Sequence, residues 1–507
     1  MLWVSLSLAC GRLAASTAEP WLASSDSVPQ TAIARLTEAP EQITDGLPVT
    51  PTPGGPMYSP TPDSPHELPT PRSAAEQYVV QYNDTLSVIA RRFQVSVEAL
   101  IDANQLVNPN YLEVGQMLAI PKPELAAPGL SFKVIPDSEL VYGPGSVDFN
   151  VADYIDQQGG YLASYSEEVD TDTLSGAEIV QRVAEEFSVN PRLLLAVLEY
   201  RAGWVTQAQP RGDSQYPIVM AEAWRKGLYL QLAFAANNLN RGFYLWQAGA
   251  VGYWVMNDGE LAPVDATINA GTAGVQQLFA LLFSRGEWDL AVSKQGLYAV
   301  YQSMFGFPFF RAVEPLLPPG LAQPEMQLPF ESGPEWAFTG GPHGGWGDGS
   351  AWAALDFAPP GEPLGCVNSD AWVTAVADGK IVRTGNGAVI QDLDVDGPGS
   401  NDGLEQTGWV VLYMHIEARD RVQVGDTVRA GERIGHASCE GGVSTGTHVH
   451  LARRYNGVWI PADGSLPFVL DGWVSRGGGA EYDGYLDQGS RTVEAWEGYL
   501  PLNRIGR

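Results

Sequence analysis

Cysteine is scarce in this 507-residue chain. Its three residues include no C-x-x-C pair, which excludes a disulfide framework and the usual structural zinc site. Cys366 and Cys439 can pair or can remain two free buried thiols, and Cys10 stands apart from both. Basic charge is scarce too. Only 29 Lys and Arg face 59 Asp and Glu, and the net charge of -30 excludes the basic footprint that nucleic acid or an anionic membrane requires. After the N-terminus no run is long and apolar enough to span a membrane. Histidine is rare but concentrated: of six in the chain, five follow Glu331.

The length calls for several folded units. Residues 1–18, MLWVSLSLACGRLAASTA, read as an export signal with cleavage after Ala18, or as a lipoprotein-type signal with a lipid anchor at Cys10. Residues 19–75 are rich in Pro, Thr and Ser and read as a disordered linker, with His66 a solvated residue in it. Residues 76–123 show short alternating runs around two helical periods, a strand–helix–helix–strand module. Asp84 and Thr85 stand at the first N-cap, Leu86, Ile89, Ala90 and Phe93 follow at helical spacing, and Ser96 caps the second helix. Residues 124–170 read as a second linker. Residues 171–315 are helical, with Ser175 capping a helix through Phe187 and Pro191 opening the next. From residue 325 to 507 the chain turns Gly-rich with short alternating strands, such as GWVVLYMHI and HVHLARRYNGVWI, which predicts a mostly antiparallel β domain. The expected fold class is therefore multidomain α+β, with an all-α middle.

Chemistry concentrates in the last unit. In GTHVHLA, residues two apart on a strand share a face, so His448 and His450 converge. LDFAPPG places Asp356 on an apolar strand, where a lone carboxylate is costly unless paired or bound to metal. YMHIE does the same for His415. A His cluster on a β scaffold calls for a metal.

Three resemblances follow from these motifs. Tyr78–Pro121 resembles a LysM module, which binds N-acetylglucosamine chains in peptidoglycan. The resemblance implies a sugar groove in which Asp84, Thr85 and Leu86 face Asn104 and Gln105, although such residues also serve as cap and turn. VNPRLLLAVLEYRAGW resembles the catalytic helix of lysozyme-like lytic transglycosylases, but Arg201 and Ala202 stand where that family has Glu and Ser. Arg cannot protonate a glycosidic oxygen, and Glu199 projects elsewhere on the helix, so this domain is expected to be non-catalytic. Trp204, Tyr229, Tyr244, Trp246 and Trp288 either stack on sugars or fill its core.

The ordered set His343, LDFAPPG, YMH and GTHVH resembles the M23 or LytM-like zinc endopeptidases. The resemblance implies one zinc held by His343, Asp356 and His450, with His415 and His448 as the catalytic pair beside it. It implies hydrolysis of peptide cross-links or stem peptides in peptidoglycan by an extracytoplasmic monomer anchored through LysM. The alternatives are a non-catalytic envelope scaffold or activator that binds peptidoglycan, and a glycan-cleaving enzyme built on the helical domain. Two departures stand out. Thirteen positions (356 - 343) separate His343 from Asp356, far more than the family spacing, which leaves His343 first ligand largely by elimination; His436 is expected to line the groove. In QDLDVDGPGSNDGLEQTG, Asp392, Asp394 and Asp396 match the first half of a calcium loop but Gly403 fails its last position, so either calcium or a solvated acidic hairpin is expected.

Overall fold

The computed structural model describes residues 65–81, 84–219, 223–361, 365–393 and 402–507. The expected signal, Cys10, most of the Pro-rich linker, and Asp394 and Asp396 lie outside these residues. No described helix is long and apolar enough to cross a membrane.

The first unit pairs β1 (Glu76–Val79) antiparallel with β2 (Met117–Ile120) around α1 (Leu86–Arg92) and α2 (Val97–Asn104). Such short helices are marginal alone and depend on caps and packing. Thr85 Oγ1 accepts from Val88 N at 3.2 Å and Ser96 Oγ from Ala99 N at 3.0 Å, while Ile89, Leu100, Leu118 and Ile120 close a core of their own.

The middle unit contains α3 (Val151–Gln158), the hairpin β3 (Ser166–Val169) and β4 (Asp172–Ser175), α4 (Gly176–Phe187), α5 (Pro191–Ala202), α6 (Leu228–Gln247), the hairpin β5 (Tyr253–Val255) and β6 (Leu261–Pro263), α7 (Ala270–Leu282), α8 (Arg285–Ala291) and α9 (Leu297–Phe305). Ser175 and Glu178 form a capping box at α4, and Pro191 occupies the first turn of α5 behind its Asn190 cap.

Two linker expectations need correction. Residues 124–170 are folded: Val134, Ile135, Leu140 and Val141 are fully buried, and Asn269 Nδ2 donates to Ile135 O at 2.7 Å. Their apolar runs are too short to show a period, so only the tertiary context reveals them as core. The end of the first linker is also held, with the His66 ring stacked 4.3 Å from Trp246 and its amide donating to Ala266 O at 2.9 Å.

The third unit is built on an antiparallel sheet ordered β13 (Thr427–Val428), β10 (Gly379–Gly385), β11 (Ala388–Asp392), β12 (Trp409–Met414), β15 (Val449–Tyr455), β8 (Ala354–Ala358), β7 (Trp336–His343) and β21 (Arg504–Ile505), with β16 (Val458–Trp459) paired to β15. β9 (Trp372–Thr374) pairs with β14 (Arg433–His436), and β17 (Val469–Leu470), β18 (Trp473–Gly477), β19 (Gly484–Gln488) and β20 (Arg491–Glu494) form a separate meander.

The middle and β units share one hydrophobic core. Across their boundary Tyr244 OH accepts from Trp459 N at 2.9 Å and Ser188 Oγ donates to Gly457 O at 2.7 Å. Glu405 takes hydrogen bonds from Arg383 Nε at 2.8 Å and Arg454 Nη2 at 2.7 Å, and Arg383 lies 3.5 Å from Glu185 of α4. Burial alone would raise the Glu405 pKa, but the two guanidinium groups hold it below the usual range.

Glu139 shows how deeply the corrected segment is embedded. Its Oε2 accepts from Tyr301 OH and from Asn190 Nδ2 at 3.3 Å, and its buried Oε1 has no partner. Burial pushes its pKa from 4.5 up to about 7, against the Tyr301 hydrogen bond and the Arg192 and Arg311 charges. A raised carboxyl pKa makes a stabilising contribution that is complete below pH 4.5 and lost as pH rises to about 7. The shift corresponds to about 3 kcal/mol. Glu139→Gln keeps the acceptor for Tyr301 and removes the titration. Its stability relative to wild type is expected to rise by up to about 3 kcal/mol between those pH values, read from denaturant unfolding at each pH.

Candidate metal centre

The sheet register assembles the centre. His450 lies directly across from Asp356 on one side and Met414 on the other, and Asp356 lies across from Gly340. β7 is irregular on either side of Gly340, and the second shift carries His343 around to the same place, opposite Ala354. The insertion after His343 is therefore compatible with convergence. His343 Nε2 lies 2.9 Å from His450 Nδ1, and each nitrogen lies 3.3 Å from Asp356 Oδ1.

Their outward contacts decide the tautomers. His343 Nδ1 faces Gly341 O at 2.8 Å and His450 Nε2 faces Gly345 O at 3.1 Å. A carbonyl only accepts, so these outer nitrogens carry the protons and the inner pair present lone pairs. Asp356 Oδ1 is buried without a hydrogen-bond partner. Two lone pairs and a carboxylate oxygen at this spacing repel unless a cation lies among them, and a His, His, Asp set is a zinc donor set with room for a further ligand. His343, Asp356 and His450 form the metal site.

Charge follows the same geometry. Burial would raise the Asp356 pKa, but His343 and His448 beside it hold it well below the carboxylate range. Burial lowers His450; at His343 burial is outweighed by Asp356, and the pKa rises. His415 follows Met414 with φ 64, in the left-handed region, where its ring stands 4.5 Å from that of His448. Burial, then the neighbouring His448 and His450, push the His415 pKa down to about 3, so it is neutral at ordinary pH. Its Nδ1 donates to Glu440 O at 3.1 Å, and His448 Nδ1 donates to Gly446 O at 2.7 Å, with His448 Nε2 3.7 Å from Asp356 Oδ1. The Cys366–Cys439 disulfide forms, joining the segment before β9 to the loop that leads into His448.

Other expected residues are placed elsewhere. His436 contacts Trp372, with ring centroids 3.8 Å apart, and lies 3.5 Å from Asp420. Glu199 accepts from Val205 N, Thr206 N and Thr206 Oγ1 and closes the end of α5. Trp204, Trp246, Trp288 and Tyr244 are core residues, and Tyr229 donates to Glu186 at 2.8 Å. In the first unit, Asp84 Oδ2 accepts from Tyr78 OH and Gln81 N, and Thr85 caps α1. Leu86 is buried, Asn104 bonds both the amide and the carbonyl of Ala119, and Gln105 is an exposed left-handed C-cap. Asp392 is buried and accepts from Gly403 N at 3.0 Å.

Sequence reasoning missed Tyr482. Its ring stacks 4.3 Å from that of His343, and its backbone bonds Gly341 N at 2.7 Å and Pro342 O at 3.1 Å. The one available signal was the turn GGGAEYDG, which lies far from the histidine motifs in sequence.

Gly340 is a second hidden requirement, since a Cβ there would meet Asp356 Oδ2 at 2.6 Å. Gly340→Ala is expected to displace the carboxylate and weaken zinc binding by roughly tenfold or more, with the far-UV circular dichroism unchanged. A chelator-competition titration measures the change.

Three domain families match along the chain. The LysM domain family matches residues 78–121, the LasA N-terminal domain family 133–316 and Peptidase family M23 365–461. The middle region thus matches a LasA domain where the sequence suggested a lysozyme-like one, and the M23 match begins after His343 and Asp356. Protease LasA of Pseudomonas aeruginosa is 24% identical over 315 residues, 57% of this chain and 68% of that protein. Among solved structures, the M23 metalloprotease pseudoalterin from the deep sea is 24% identical, with a TM-score of 0.29 over 37% of this chain and 100% of that one. The catalytic domain of the antimicrobial peptidase lysostaphin from Staphylococcus simulans is 26% identical, with a TM-score of 0.17 over 26% of this chain and 89% of that one. The chain carries a LysM domain, a LasA N-terminal domain and an M23 metallopeptidase domain with an intact His-Asp-His metal group, and is a distant homologue of protease LasA.

Proposed function

We propose that the chain is an exported zinc endopeptidase that hydrolyses peptide bonds in the cross-links or stem peptides of peptidoglycan while its LysM domain holds the glycan. The observation that carries the reading is the convergence of His343 Nε2, His450 Nδ1 and the unpartnered Asp356 Oδ1 to within 3.3 Å of one another. One zinc per chain satisfies it.

Held by His343, Asp356 and His450, zinc would supply Lewis acidity toward a scissile carbonyl. The protein's own groups do the rest. Gly341 O and Gly345 O fix both imidazole ligands in the tautomer that binds. His415 and His448, each tied by Nδ1 to a backbone carbonyl, keep Nε2 for the reaction. One of them takes the proton of the attacking water on its Nε2, and the N–H so formed hydrogen-bonds the developing oxyanion.

LysM binding raises the local concentration of substrate. The connection to the peptidase side is short and structured, because Ala126 N and Gly129 N each donate at 2.8 Å to the β6 carbonyls of Leu261 and Pro263. Glycan binding therefore sets the reach of the site. The disulfide supports an extracytoplasmic location.

Digestion of peptidoglycan followed by mass spectrometry tests the reading. New amine termini with intact sugars, about one zinc per chain, and loss of cleavage in His450→Ala are expected. Cleavage of glycan alone, or persistent peptide cleavage by that variant, would overturn it. Zinc-free protein with no cleavage would favour the scaffold alternative.

A further inference from the structure

The loop between the first metal ligand and the aspartate, Gly344–Ala353, is moulded on the middle domain. Asn237, in the middle of α6, accepts from Gly349 N through Oδ1 at 2.9 Å and donates through Nδ2 to Asp348 Oδ1. The approach is close. A Cβ on Gly349 would meet Asn237 O at 1.9 Å, and one on Gly347, whose φ is +66, would meet Asn237 Oδ1 at 2.7 Å. Trp346 sets its ring edge-on to Phe187 at the end of α4, 6.4 Å between centroids.

The other end of this loop is a ligand contact. Gly345 O is the acceptor that fixes His450 Nε2, and Gly345 is pressed against Trp459, where a Cβ would come within 2.6 Å. Asparagine is a poor helix former, because its side chain competes for backbone hydrogen bonds, so α6 gains nothing from Asn237 on its own account. The side chain is spent on the loop.

We infer that Asn237 is a positioning residue of the metal site: through Gly349 and Asp348 it holds the loop whose Gly345 carbonyl orients His450, making the middle domain a working part of the peptidase centre. This rests on the zinc reading of His343, Asp356 and His450. A partner to a ligand's outer N–H typically changes metal affinity by roughly 10- to 100-fold when removed. Asn237 acts one step further out, through the loop, so a loss of roughly tenfold is expected.

The test uses the full chain. Zinc affinity is measured by competition with a chromophoric chelator, and the cobalt-substituted protein is examined for its visible absorption spectrum. Asn237→Ala is expected to bind zinc roughly tenfold more weakly with a shifted cobalt spectrum. Asn237→Asp faces the Asp348 carboxylate and is expected to behave likewise. The exchange pair Asn237→Asp with Asp348→Asn restores one donor and one acceptor across the contact, and is expected to recover wild-type affinity and spectrum. Wild-type zinc affinity in Asn237→Ala would overturn the inference, and so would failure of the exchange pair to recover. Absence of zinc binding by the wild type would instead overturn the metal reading itself.

Discussion

The pairing of His450 with Asp356 across two adjacent strands is the contact on which the site depends. A side chain's face in a sheet is set by register, and a slip of one residue would send both groups to opposite sides. Here the register is held from both flanks: Leu451 opposite Leu355 and Ala452 opposite Ala354 lie in the buried sheet, and Met414 closes the other edge of His450. Packing thus does the work of aligning donors that would otherwise repel. The carboxylate then needs a neighbour without bulk, which is why Gly340 stands across from it.

The first ligand obeys a different rule. His343 sits at the end of β7 after two shifts of register, and regular pairing does not define where its ring goes. Its position comes from contacts made by residues distant in sequence. Tyr482 stacks on the ring and borrows the backbone of Gly341 and Pro342, and Glu481 accepts from Gly344 N at 3.3 Å. One ligand pair is therefore built by the sheet, and the third ligand by a turn of the terminal meander.

That division explains what could be read in advance. Asp356 and His450 lie on strands, while His448 sits at a bridge just before β15 and His415 just past β12. The shared face of His448 and His450 and the helix cap at Ser175 were legible from spacing, whereas the gathering of all four rested on the resemblance. The role of Tyr482 was not legible, since stacking leaves no periodic trace. Nor was the folded state of residues 124–170, where Val134 and Ile135 are buried by partners on α7 and just before it. Asn104 and Leu86 show the reverse difficulty: a motif points to a groove, while Asn104 Oδ1 accepts from Ala119 N at 2.7 Å and Leu86 fills the core.

The buried cluster of Glu405, Arg383 and Arg454 bears on the chain's history as well as its stability. Charges removed from water must keep their partners, or the cost of burying them is uncompensated. Arg383 reaches Glu185 on the middle domain, and Tyr142 OH there accepts from Gln406 Nε2 at 2.8 Å. The β domain is consequently a poor module for shuffling. Transplanted alone, it would carry an exposed apolar face and part of a charge network, whereas the LysM unit, with its own sealed core, could be gained or lost by recombination with far less disturbance.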